Sequence, residues 1–430
     1  MTNAPGKILV VDDNQINRMI LTRALAEQGY HSATAENGQQ ALDALRADAF
    51  DVVLLDILMP EMDGYQVLEQ LKADANLRNI PVIVISALDE MESAIRCIEM
   101  GAEDYLPKPF NPVLLRARIG ASLEKKRLRD QEHLYLKGLE RELEIGQQIQ
   151  FSFLPDELPQ PPGWEIAARF RAARQVSGDL YDVFAIDASG KIGLVIADVC
   201  DKGVGAALYM ALFRTLIRAA TRPEYLAHRA NQSSSALRWK ETRQDLAANL
   251  KNAVALTNNY IARTHSKANM FATLFFGILD PVTGALTYIN AGHEPPVIFG
   301  SAGIVATLTR TGIVVGMFPD YPYAVRQTDV KPGETLLAFT DGITDAINAD
   351  DEPFTRERLL TMLAEPAASA TDLLDRIEAG VKDHIADANQ YDDITLLAVR
   401  RLPALVPRKS ARRKSTGARG SRRHSARVRA

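Results

Sequence analysis

Four aspartate-bearing turns in the second half of the chain, each following or closing an apolar run, restrict what this sequence can become. Asp179 lies in Ser177-Gly178-Asp179-Leu180-Tyr181-Asp182, and Asp198 lies in Ile196-Ala197-Asp198-Val199. Asp341 lies in Phe339-Thr340-Asp341-Gly342, and Asp392 with Asp393 in Tyr391-Asp392-Asp393-Ile394-Thr395. Runs such as Gly193–Ala197 and Thr335–Phe339 read as strands, so the carboxylates fall at strand ends. A fold can gather acids there without burying unpaired charge. An all-oxygen cluster suits hard divalent ions, Mg²⁺ or Mn²⁺, and no Cys/His spacing competes for zinc.

The first 120 residues have a different grammar. The apolar runs Lys7–Asp13, Asp51–Asp56 and Pro81–Ser86 alternate with helical-period segments starting near Asn14, Gly38, Gly64 and Asp89. Continuous apolar strands separated by helices indicate a parallel sheet covered on both faces. Functional groups of such sheets gather at the carboxyl ends of the strands. Asp12, Asp13, Asp56 and Ser86 all fall there.

The motif Leu54-Leu-Asp-Ile-Leu-Met-Pro-Glu-Met-Asp-Gly64 and the later Tyr105-Leu-Pro-Lys-Pro-Phe110 make this half similar to a CheY-like response-regulator receiver. The resemblance implies that Asp56 accepts a phosphoryl group from a histidine kinase or a phosphotransfer protein. It assigns Mg²⁺ to Asp12, Asp13, Asp56 and the Leu58 carbonyl. Lys108 pairs with the acyl phosphate, Ser86 hydrogen-bonds it, and Tyr105 shifts with the surface of the helix near residues 89–100. Such domains carry a cis bond between the matching Lys108 and Pro109, and a cis bond costs little only before proline.

From about Phe153 to Arg400 the chain resembles metal-dependent Ser/Thr protein phosphatases of the PPM class, in their bacterial SpoIIE/RsbU-type subgroup. The supporting blocks are Val176–Phe184, Ala197–Leu208, Phe271–Phe275, Asn290–Pro296 and the two later aspartate turns. The resemblance implies two Mn²⁺ or Mg²⁺ ions bridged by Asp198. Asp179 and the Val199 carbonyl serve the first, Asp341 and Asp392 the second, and Asp393 is a secondary candidate. Two ions bridged by a carboxylate can acidify a shared water and clamp phosphoryl oxygens, so no protein nucleophile is needed. Asp201 departs from the family, which usually has glycine there, although aspartate tolerates left-handed geometry better than most residues. Cys200 sits among acids, the opposite of what a reactive thiolate requires, and reads as a small buried residue. His293 is either a general acid or a structural loop histidine.

These readings give an α/β chain with a doubly wound parallel five-stranded receiver (1–122), a helical linker (123–152), an αββα two-sheet phosphatase sandwich (153–402) and a basic disordered tail (403–430). The connecting helix, from about Pro112 to Phe151, carries Leu136, Leu139 and Leu143 at helical spacing. It either packs on its own phosphatase domain or forms a short parallel coiled coil in a homodimer. Gly138 and Gly146 weaken it by roughly 1 kcal/mol each against alanine. Thr221–Arg243 reads as a surface insertion.

The formal charge of −4 hides an asymmetry: residues 408–430 hold ten Lys/Arg and no acid, leaving 40 bases against 54 acids elsewhere. Such a tail cannot form a core. Nucleic-acid contact by it has no aromatic stacking residue to support it, and no helix-turn-helix accompanies it. No apolar run approaches the ~18 residues of a membrane span, and no signal-peptide pattern opens the chain. Two cysteines, Cys97 and Cys200, provide no disulfide framework, which fits the cytoplasm.

The expected function is a two-component response regulator that dephosphorylates phosphoserine or phosphothreonine on a regulatory protein, commonly an anti-sigma-factor antagonist in this family, under control of Asp56. The rival is a metal-poor phosphatase-like platform that binds without catalysis. The intact Asp179, Asp198, Asp341 and Asp392 weigh against it.

Overall fold

The computed structural model describes residues 6–87, 91–186, 190–221 and 243–403. The predicted helix start at Asp89, the insertion over 222–242 and the tail from 404 onward lie outside the described residues. The chain divides into two compact units, Met1–Glu142 and Leu143–Ala430.

The first unit contains strands β1 (Lys7–Val11), β2 (His31–Ala35), β3 (Val52–Asp56), β4 (Val82–Ala87) and β5 (Asp104–Lys108), in the parallel order β2-β1-β3-β4-β5. Helices α1 (Gln15–Glu27), α2 (Gly38–Ala47), α3 (Gly64–Ala73), α4 (Met91–Glu99) and α5 (Pro112–Phe151) connect or follow them. Alternation along each strand explains why the runs are apolar throughout. Leu9, Val11, Val53 and Leu55 bury against α2 and α3 residues such as Leu42 and Leu68. Their neighbours Ile8, Val10, Val52 and Leu54 bury against Leu21 and Leu25 of α1 and Leu115 and Ile119 of α5. Asn14 caps α1, and Asp63 with Gln66 forms a capping box on α3. Gly64 follows that cap where a Cβ would lie 2.3 Å from the Asp56 carbonyl oxygen, so only glycine lets α3 start this close to the acid.

Helix α5 runs for 40 residues. Leu136 and Leu139 on it are exposed.

The second unit is built from two five-stranded sheets. Its strands are β6 (Trp164–Arg171), β7 (Asp179–Ala185), β8 (Ile192–Val199), β9 (Ala272–Leu279), β10 (Ala285–Ala291), β11 (Val297–Gly300), β12 (Gly303–Thr307), β13 (Arg326–Asp329), β14 (Thr335–Phe339) and β15 (Ile394–Arg401). One sheet has the order β13-β10-β9-β8-β7 and the other β12-β11-β14-β15-β6, and their paired strands are antiparallel. Period-two burial sorts the side chains into layers. Leu194 and Ile196 of β8 meet Leu336 and Ala338 of β14 between the sheets. Val195, Ala197 and Val199 face helices α6 (Val204–Thr221) and α7 (Arg243–Thr264), while Leu337 and Phe339 face α8 (Arg356–Met362) and α9 (Ala370–Ile385). The result is the expected αββα sandwich.

Helix α6 corrects one expectation: it has the length and apolar content of a membrane span. Ala206, Met210, Phe213 and Ile217 on it are buried in the core of the sandwich, which accounts for one face of the helix, while Val204 and Leu208 are exposed.

Candidate phosphoacceptor and dinuclear metal sites

At the carboxyl ends of the parallel strands, carboxylate oxygens of Asp12, Asp13 and Asp56 lie within 4.8 Å of one another. Lys108 Nζ donates to Asp56 Oδ2 at 2.6 Å and is 3.2 Å from Asp12 Oδ2. Asn17 Nδ2 donates to both Asp12 oxygens, and Arg18 Nη1 donates to the carbonyls of Asp12 and Asp13. Burial raises the Asp56 pKa to about 6; Lys108 opposes that rise and Asp12 adds to it. A divalent cation among these acids would relieve the crowding, so the donor set fits the expected Mg²⁺. Ser86 is buried at the end of β4, one residue beyond Ile85, the register partner of Asp56. Tyr105 is half-buried with the Arg118 guanidinium 5.9 Å from its ring, and the Lys108–Pro109 bond is cis. Leu58 is exposed beside the acceptor strand.

In the sandwich, neighbouring strands bring Asp179 opposite Asp198 in register. Asp341 follows β14 and Asp392 precedes β15, which pair with each other in the other sheet. The charges of Asp341, Asp392 and Asp393 are felt at Asp198, so acids from both sheets lie near one another. Burial comes first among the causes that push Asp198 up to about 7, followed by the charges of Asp341, Asp392 and Asp393. Asp179 is fully buried and raised well above the carboxylate range, by burial and then by Asp198 and Asp393. Asp341 is raised by burial and by Asp392. Such a cluster holds protons that a divalent cation would displace, and its hard oxygen donors suit Mn²⁺ or Mg²⁺.

The local geometry that holds the cluster depends on residues that sequence reasoning did not assign. Thr340 Oγ1 and Thr395 Oγ1 donate to Asp179 Oδ2 at 2.8 and 2.5 Å, tying an acid of one sheet to hydroxyls of the other. The only signal for them was their position beside the aspartates of the two later turns. Asp393 uses both oxygens on backbone donors, Ala173 N at 2.7 Å and Gly178 N at 2.9 Å, and so anchors the loop that leads to Asp179. Gln150, near the end of α5, accepts from Ser177 N at 3.0 Å and donates to Ser177 O at 2.5 Å, clamping the same loop.

Gly342 has no alternative: a Cβ there would lie 1.9 Å from the Asp393 carbonyl oxygen. The Val199 carbonyl lies close to Gly178, beside the Asp179 turn. Asp201 adopts φ 71°, so the turn keeps the left-handed geometry expected at this position. Lys202 Nζ lies 3.0 Å from Asp392 Oδ2.

Cys200 is half-buried rather than buried; its Sγ accepts from Phe271 N at 3.2 Å, and burial raises its thiol pKa, which weighs against a nucleophile. His293 is buried with Nδ1 2.8 Å from Thr273 Oγ1, and burial lowers its pKa to about 3. Its ring is neutral at working pH, which favours the structural reading over the general acid.

The family described as Stage II sporulation protein E (SpoIIE) matches residues 188–402, half of the chain, and the response regulator receiver domain family matches residues 8–120. Protein IcfG of Synechocystis sp. is 44% identical over 263 residues, covering 60% of this chain and 41% of that protein. Response regulator PleD of Caulobacter vibrioides is 43% identical over 114 residues, 26% of this chain and 25% of that protein. The SiaA-PP2C domain of Pseudomonas aeruginosa superimposes with a TM-score of 0.49 at 20% identity, covering 62% of this chain and 98% of that domain. The chain spans about half the length of the curated relatives it matches, 41%, 56% and 50% for the first three.

Proposed function

Because this chain belongs to the SpoIIE family and carries a response regulator receiver domain, we propose that it is a response regulator whose output is metal-dependent hydrolysis of phosphoserine or phosphothreonine on a regulatory protein. The observation that carries this reading is the convergence of Asp179, Asp198, Asp341 and Asp392 from two sheets, with the proton affinities of Asp179, Asp198 and Asp341 raised by burial and by neighbouring acids. Asp198 is the central group and would bridge two ions. Asp179 and the Val199 carbonyl would hold one of them, and Asp341 with Asp392 the other. A divalent pair bound there supplies Lewis acidity to an attacking water and to the phosphoryl oxygens.

The chain's own residues orient the site. Thr340 and Thr395 fix Asp179 Oδ2, leaving the other oxygen for a cation. Asp393 and Gln150 hold the loop bearing Asp179, and Gly342 lets the Asp341 turn pass against Asp393. In the reaction the phosphorus–oxygen bond to the serine is replaced by one to the water oxygen, and the serine oxygen leaves with a proton. The substrate class is a small phosphorylated regulator such as an anti-sigma-factor antagonist.

In the receiver, Asp56 takes the phosphoryl group from a histidine kinase or phosphotransfer protein, with Lys108 and the Asp12/Asp13 pair around it. The exposed leucines of α5 support a homodimer as the state through which that signal acts. The protein acts in the cytoplasm in this reading.

Phosphate release from a phosphoserine protein, measured with and without Mn²⁺, tests the assignment. Wild type should require the metal, and Asp198→Asn should lose turnover while keeping its far-UV circular dichroism. Metal-independent release, or full activity in the folded variant, would sink the two-ion reading.

A further inference from the structure

Among the described residues, Lys202 is the one lysine or arginine within ion-pair distance of the acids assigned to the dinuclear site. Its Nζ contacts Asp392 Oδ2 at 3.0 Å, donates to the Tyr391 carbonyl at 2.6 Å, and sits 4.2 Å from the centre of the Tyr391 ring. Asp392 Oδ1 meanwhile accepts from the Asp393 backbone N–H at 2.8 Å. Both oxygens of Asp392 are therefore engaged before any cation arrives.

The backbone sets this up. Asp201 turns the chain at φ 71°, Gly203 follows at φ 85°, and Asp201 Oδ1 accepts from Lys202 N at 2.8 Å. That turn connects β8, which ends just after Asp198, to α6, and aims the lysine across at the turn before β15.

We propose that Lys202 is an internal counter-ion that competes with the second divalent ion for Asp392, so that loading this position requires the ammonium to leave. The inference rests on the dinuclear reading above and deepens it: it names a residue that sets the affinity of the position served by Asp392, which the ammonium makes the weaker one. A lysine ammonium at this distance both engages the carboxylate and repels a dication. Tyr391 and its carbonyl provide the resting seat through a hydrogen bond and a cation–π contact. The pair is partly exposed, so the ammonium can leave into water at modest cost.

The test measures Mn²⁺ binding to the full chain after chelator treatment, by the electron paramagnetic resonance signal of free Mn²⁺. All proteins carry Asp13→Asn to suppress binding at the receiver. Lys202→Met and Lys202→Gln should each tighten the weaker of the two remaining binding steps by roughly tenfold, because an ion pair and a like charge are both removed. Lys202→Arg, which keeps the charge, should stay near wild type. Tryptophan fluorescence confirms that each variant is folded. Unchanged or weakened Mn²⁺ binding in both neutral variants would overturn the proposal, as would equal tightening by arginine. If the parent binds no Mn²⁺ beyond an Asp198→Asn control, the dinuclear reading fails instead, and the two failures are distinct.

Discussion

Replacing Asp198 by asparagine should stabilise the metal-free protein while it destroys the reaction. The Asp198 carboxyl has an ordinary value of 3.8 when exposed and about 7 in the fold. The fold therefore disfavours its ionised form. The penalty is absent below about pH 4, grows through the window from about pH 4 to pH 7, and is fully present above it. A shift of about three units corresponds to roughly 4 kcal/mol, reduced where the proton is shared with Asp179. Asparagine keeps the shape and cannot ionise. Metal-free Asp198→Asn should therefore exceed wild type by about 2–4 kcal/mol near pH 8. Near pH 4 the two should be close.

Urea unfolding in chelator, followed by tryptophan fluorescence, reads the relevant unit, since Trp164 and Trp239 both belong to Leu143–Ala430. Saturating Mn²⁺ should reverse the order, because a ligand stabilises only the chain that binds it. A variant no more stable than wild type at high pH, or a gain that does not vary with pH, would refute the account of mutual repulsion in the cluster.

Three other outcomes follow from the geometry. Acetyl phosphate with Mg²⁺ should label Asp56 alone, through an acid- and base-labile bond; persistent label in Asp56→Asn would place the acceptor elsewhere. A beryllofluoride mimic should change wild-type phosphatase turnover several-fold, upward, and leave Asp56→Asn unmoved, whereas equal rates in all four conditions would remove the receiver from control. Thr395→Val strips a 2.5 Å donor from buried Asp179 and should cost about 1–3 kcal/mol while moving Mn²⁺ binding to higher pH, and Thr395→Ser should restore both. A valine variant with unaltered Mn²⁺ titration at every pH would show that the hydroxyl does not position Asp179.

Much of this was legible because local rules and tertiary structure agree. In the receiver, runs such as Ile8–Val11 and Val52–Leu55 are apolar at every position because both faces of the sheet are covered. In the sandwich the same logic gives β8 and β14 their alternating layers. The acids were readable because turn markers accompany them: glycine beside Asp179 and Asp341, threonine near Asp341 and Asp392. The roles of Thr340 and Thr395 were not readable, since they act on Asp179 across 161 and 216 residues of chain. Asp393 looked like another ligand candidate, yet its oxygens face backbone N–H groups of a loop more than 200 positions earlier. The span-like length and composition of α6 were likewise missed in the sequence, and the core that its buried face enters explains part of them.

The division of the acids between the two sheets has a consequence for the integrity of the molecule. Every residue up to Thr221 contributes Asp179 and Asp198; everything from Arg243 onward contributes Asp341 and Asp392. Helices α6 and α7, one from each side of that divide, share a single buried cluster. A nick anywhere between them would leave each fragment with two of the four acids and half of a core. The four acids therefore come together only while the two halves stay packed through that shared core, so any event that parts α6 from α7 would scatter the cluster as well as the sandwich.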